Sequence, residues 1–197
     1  MLEMTKYVIN KKTCIIFPHY DEFGNLIAIV IESDLHIIVK MSPLNIIKYS
    51  LLKYGSGYQG AKDGAKHILG NTTMNPIMLS EKFELYAIPT KSPTNKECVW
   101  FMLGQYKFHK RDGNNQLKVI FKNGFPVKLD VSQKSFENKL QKGYRLKDQI
   151  EEIGQQPFNY SASHGCSVVV ESLENGYAIR KVNHDEEITD ENFGDVF

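Results

Sequence analysis

Arginine is scarce in this 197-residue chain. Only Arg111, Arg145 and Arg180 stand beside twenty-one lysines, so bidentate reading of guanine by guanidinium forks can contribute little. No run approaches the roughly 18 uninterrupted apolar residues of a membrane span, and residues 1–13 lack an apolar stretch ending at a small-residue cleavage site. A cytoplasmic protein with no membrane partner is expected. The three cysteines, Cys14, Cys98 and Cys166, are far apart and odd in number. Without a Cys-x-x-Cys they encode neither a disulfide framework nor a zinc cage, which fits a reducing compartment. Internal repeats and low-complexity tracts are missing too. So are zinc-finger spacing, a basic region followed by heptads, an aromatic RNP-type strand and a conventional helix-turn-helix, which removes the standard major-groove readers.

What is present is the composition of an ordinary folded protein, 42% apolar and 24% charged, which excludes disorder, collagen and coiled coil. The net charge of +1 hides a sorting along the chain. Residues 171–197 hold eight acids against Arg180 and Lys181, a net of −6, which leaves +7 on residues 1–170. Residues 91–149 alone hold thirteen bases against five acids, or +8. A basic body with an acidic tail points toward polyanions, although a solvated lysine-rich surface would give the same count.

In residues 1–40, short β-type runs at 7–10, 13–17, 26–31 and 35–40 alternate with turn signals and predict an antiparallel meander. Ser42 and Pro43 supply an N-cap and first-turn proline for a helix carrying Leu44, Ile47, Leu51 and Leu52 on one face, ending at Gly55. A second short helix over 61–69 is weakened by Gly64. Strands are expected over 76–79, 83–88 and 98–103. Residues 117–121 and 125–131 flank Asn123-Gly124, a pair that favours a type I′ hairpin turn. Ser132 or Ser135 can cap a helix carrying Phe136, Leu140, Tyr144, Ile150 and Ile153, with Tyr144 read as core. Beyond the boundary at 154–157, residues 167–171 and 177–182 read as another hairpin. The expected fold is therefore α+β, an antiparallel sheet-rich core with two or three helices, divided into a body over 1–154 and a C-terminal hairpin with an acidic tail over 155–197.

Several chemistries can be weighed. Gly55-Ser56-Gly57-Tyr58-Gln59-Gly60 matches G-x-G-x-x-G letter for letter, but a helix rather than a strand precedes it, against the dinucleotide-binding context. It can be a C-cap and turn, or a loop whose bare backbone approaches nucleic acid between Tyr54 and Tyr58. Cys98 sits in an apolar strand without the local pattern of a cysteine hydrolase. His164 and Cys166 lack a third ligand. No enzyme activity, cofactor or metal is indicated.

The order and spacing of Met41-Ser42-Pro43-Leu44, Lys53-Tyr54-Gly55-Ser56-Gly57-Tyr58-Gln59-Gly60, Pro76-Ile77-Met78, Ile88-Pro89-Thr90-Lys91-Ser92-Pro93 and Cys98-Val99-Trp100 resemble the ComK family of bacterial competence transcription factors. Phe121-Lys122-Asn123-Gly124 and Ser135-Phe136-Glu137-Asn138 extend the resemblance. It implies an activator of DNA-uptake genes that binds paired AT-rich boxes of double-stranded DNA, mainly through the minor groove, as a homodimer or dimer of dimers. RNA polymerase and a proteolytic adaptor are further implied partners. The DNA-binding residues expected are Lys53, Tyr54, Ser56, Tyr58, Lys62 and Lys66 around the glycine loop, and Asn138, Lys139, Lys142, Arg145 and Lys147 on the later helix. Two departures stand out: Ala61 replaces an arginine common among relatives, and no adaptor motif is recognisable after Gln155. Phe101-Met102-Leu103 echoes that motif but lies in an expected core strand.

Overall fold

The structure, a computed structural model, describes residues 2–33, 35–70, 72–113, 115–155, 166–173 and 176–183, with the last two segments given by their backbone alone. The chain divides after Gln155 into two compact units. In the first, β1 (Leu2–Met4), β2 (Thr13–Tyr20), β3 (Leu26–Glu32) and β4 (His36–Val39) precede α1 (Pro43–Lys53) and α2 (Tyr58–Leu69). There follow β5 (Ile77–Ser80), β6 (Leu85–Pro89), β7 (Trp100–Met102), β8 (Tyr106–Arg111), β9 (Leu117–Phe121), β10 (Pro126–Leu129) and α3 (Gln133–Gln155). Seven strands form one sheet in the order β1-β4-β3-β2-β7-β6-β5, and β10-β9-β8 form a smaller one. All pairs are antiparallel except β1 beside β4. The α+β expectation holds, and β2, β3 and β4 form the expected meander.

The period-2 alternation of strand side chains sorts the core into two layers. Ile16, Val30, Ile37, Trp100, Met102 and Ala87 face one side, where Ile46, Ile47 and Leu51 of α1 cover them. Ile15, Ile31, Phe101 and Ile88 face the other, against Phe136, Leu140 and Leu146 of α3 and Leu117, Val119 and Phe121 of β9. Leu52 is 69% exposed, so α1 buries the stripe through Ile46 rather than the expected one through Leu52. Tyr144, read as core, is 45% exposed. Both lie one helical step beyond the stripe that meets the sheet.

Three further expectations are corrected. Residues 7–10 are not a strand: Ile9 N donates to Ser50 Oγ at 3.0 Å and Ile9 O accepts from Tyr54 Oη at 2.6 Å, so side chains of α1 and its C-cap, not a neighbouring strand, satisfy the Ile9 backbone. The Asn123-Gly124 turn is not type I′, because only Gly124 has positive φ (82°). Its N–H bonds Phe121 O at 2.9 Å, which makes a three-residue loop closed by a left-handed glycine. Gly24 (φ 77°), bonded to Asp21 O at 3.0 Å, repeats that loop between β2 and β3. Helix α2 begins at Tyr58, three residues before the expected start.

The second unit contains β11 (Cys166–Leu173) paired antiparallel with β12 (Gly176–Asn183), the expected second hairpin. His164 and residues 185–197 lie outside the described residues. None of the described helices is long and apolar enough to cross a membrane.

Gly143 sits where α3 crosses β6. A Cβ there would stand 2.6 Å from Ile88 Cδ1 in a core with no exposed Ile88 surface. Gly143→Ala should therefore lower stability, the overpacking of about 1–3 kcal/mol outweighing a helix-propensity gain of about 1 kcal/mol. In an Ile88→Val background, which lacks Cδ1, the same substitution should become neutral or stabilising, as read by urea unfolding.

Candidate functional site

The fingerprint glycines have local structural reasons. Gly55 (φ 78°) ends α1: its N–H bonds Leu52 O at 3.2 Å while Ser56 N bonds Leu51 O at 2.9 Å, the paired bonds of a Schellman cap. Gly57 is the N-cap of α2, and Gly60 lies in its first turn. No strand delivers the chain to this turn, so the dinucleotide-binding context is absent. Helix α1 lies on a sheet face, and α2 touches α1, β5 and α3.

Helix α2 buries Ala65 and Leu69 and turns Lys62 and Lys66, four residues apart, to solvent. On the same exposed side the Gln59 amide donates to Asp63 Oδ1 at 2.8 Å. Helix α3 is capped by Ser132, whose Oγ accepts from Ser135 N at 3.3 Å. Phe136, Leu140 and Leu146 anchor it to the sheet. The opposite side presents Asn138, Lys142 and Arg145 beside the turn over 72–75, where Met74 has a φ of 53°. Lys142 Nζ donates to Thr73 O at 3.0 Å and ties the helix to that turn. The result is an open groove of about 410 Å³ without an acidic lining residue.

The expected residues separate into distinct environments. Asn138, Lys139, Lys142 and Arg145 converge on the groove. Lys139 is only 7% exposed, however, with Nζ 3.4 Å from Ser135 Oγ. Burial, then the neighbouring charge of Lys142, depresses its pKa. Lys147 lies outside the groove and pairs with Glu84 at 2.8 Å and Glu151 at 3.4 Å. Lys53 is exposed with its ammonium over the Tyr49 ring at 5.4 Å. Ser56 is exposed. Tyr54 and Tyr58 are half-buried against the α1 layer. Tyr54 is committed to Ile9 O, and Lys48 covers the Tyr58 ring at 5.6 Å. Thr73 and Met74 were not expected at the site, because a short polar turn carries no sequence signal for the helix it will meet.

A second groove of about 410 Å³ lies between Lys11, Phe83, Lys122 and the α3 residues Tyr144 and Lys147. Phe101, Met102 and Leu103 are buried, so the adaptor-like triplet is a core segment. Cys98 is buried as expected but precedes β7 rather than lying in it, its thiol donating to Lys91 O at 3.3 Å and held above the usual thiol pKa by burial.

A lysine with a depressed folded pKa binds fewer protons than the unfolded chain, so its contribution to stability rises with pH toward the ordinary value of about 10.4. Lys139→Met should keep or raise stability at neutral pH and flatten that rise. A variant that unfolds at neutral pH, or keeps the wild-type slope, would contradict a buried uncompensated ammonium.

Residues 4–154 match the ComK protein family. The chain is also 30% identical over 137 residues to the competence transcription factor of Bacillus subtilis (strain 168), covering 70% of this chain and 71% of that protein. No solved structure matches it.

Proposed function

The chain belongs to the ComK family, and on that premise we propose that it is a DNA-binding transcriptional activator of competence genes rather than an enzyme. The observation that carries this reading is the cationic groove on α3, whose lining holds no acidic residue; Lys62 and Lys66 of α2 are exposed as well. Ammonium groups bound to phosphates release condensed counterions, which supplies sequence-independent affinity. Preference for AT-rich boxes then follows from a narrow minor groove with enhanced negative potential, a feature read without guanine-specific forks. Arg145, exposed on α3, is the guanidinium that would enter such a groove in this reading. Two such units on one duplex, as a dimer or dimer of dimers, would fix the spacing between boxes.

Among the expected contacts, Lys62, Lys66, Asn138, Lys142 and Arg145 carry the interface in this reading, and Lys53 and Ser56 are exposed at the glycine loop. Tyr54, Tyr58 and Lys147 support the fold around it. RNA polymerase is the partner an activator would engage. A proteolytic adaptor would have to use a segment other than the buried 101–103 triplet.

Substituting Lys142 and Arg145 together by alanine should weaken binding to an AT-rich duplex. The log–log salt slope should fall by about 0.9 for each phosphate that the variant no longer neutralises. Unchanged affinity and slope would place α3 off the interface.

A further inference from the structure

Lys139 forms the floor of the α3 groove, and its charge is left without an acidic partner. None of the ion pairs among the described residues includes it. Its approach to Ser135 Oγ, at 3.4 Å, is long for a hydrogen bond. Buried ammonium groups are ordinarily paired, because desolvation penalises the charge. Here the surroundings add to the deficit, since Lys142 and Arg145 line the same groove and the remaining lining is uncharged. A solvated lysine surface does not require such a site. An anion entering the groove would supply the missing charge.

We propose that this groove is a built receptor for a single phosphate group, with Lys139 Nζ as its buried anchor and Lys142 and Arg145 closing on the same oxyanion. In the working complex the ligand is one phosphodiester of the DNA backbone, so this assignment rests on the nucleic-acid reading above. Positions 138, 139, 142 and 145 share one side of α3 through i,i+3 and i,i+4 spacing, which brings their donors to one locus. Lys142 uses one donor on Thr73 O and keeps two for the ligand. Arg145 offers a planar fork suited to two phosphate oxygens, and the Asn138 amide adds a neutral donor. At about 410 Å³ the groove has room for a phosphate with its flanking sugars.

The test uses the full chain and two probes. Inorganic phosphate, titrated at constant ionic strength, should raise the thermal midpoint of the wild type in a saturable way and leave Lys139→Met unaffected. Lys142→Gln, which removes one groove cation together with its bond to Thr73 O, should give a reduced response. AT-rich duplexes carrying one neutral methylphosphonate linkage at successive positions should reveal one position that costs the wild type about tenfold in affinity and costs Lys139→Met nothing further. Equal stabilisation of wild type and Lys139→Met by phosphate would overturn the receptor. So would DNA binding in which no linkage position couples to Lys139, although the regulator reading would then stand. Lys139-dependent phosphate binding without any DNA binding would keep the receptor, assign it to free phosphate, and remove the regulator reading.

Discussion

Trp100 and Phe101 are successive residues of β7, both fully buried, and they point to opposite faces of the seven-stranded sheet. A strand apolar on both sides cannot leave either face to water, and this constraint decides what the rest of the chain must do. Helix α1 covers the Trp100 side. Helix α3 and the small sheet cover the Phe101 side, where Phe101 and Phe136 stack with centroids 5.0 Å apart. Helix α2 fills the remaining position beside β5, between its two sister helices.

The same constraint places the charge. Once α3 has committed Phe136, Leu140 and Leu146 to the sheet, the helical period sends Asn138, Lys142 and Arg145 outward together. Close approach at Gly143 holds that helix against Ile88, and the Lys142 bond to Thr73 O holds the 72–75 turn beside it. The cationic groove is thus a by-product of core packing that has been furnished with uniformly basic and neutral side chains. The burial of Lys139 is the local exception. A charge at that depth weighs against folding unless something outside the described protein groups compensates it.

Much of this was legible in the sequence because the informative signals were local. Ser42-Pro43 begins α1 where its capping chemistry requires, and residues 117–121 and 126–129 form a hairpin because two alternating runs flank a turn. The misreadings occurred where a distant partner overrides a local signal. Residues 7–10 have strand-like composition, yet Ser50 and Tyr54 take up the Ile9 backbone hydrogen bonds. Gly64 weakens α2 by propensity, but packing through Tyr58, Ala61 and Ala65 sustains the helix from Tyr58 onward. Lysine identity alone could not distinguish Lys139, Lys142 and Lys147, since burial, a backbone tether and two glutamates separate them only in three dimensions. The glycine loop, with Ala61 after Gly60, holds no arginine, while Arg145 lines the α3 groove.

The proposed function rests on whether the basic groove of α3 reads AT-rich DNA by shape. Fluorescence anisotropy on duplexes carrying two AT-rich boxes at several spacings, against a GC-rich duplex, at two salt concentrations and with a minor-groove drug as competitor, tests it most directly. Shape reading predicts tighter binding to the AT boxes, a dependence on their spacing and displacement by the drug. Equal, salt-sensitive binding to every duplex, or no binding at all, would contradict it.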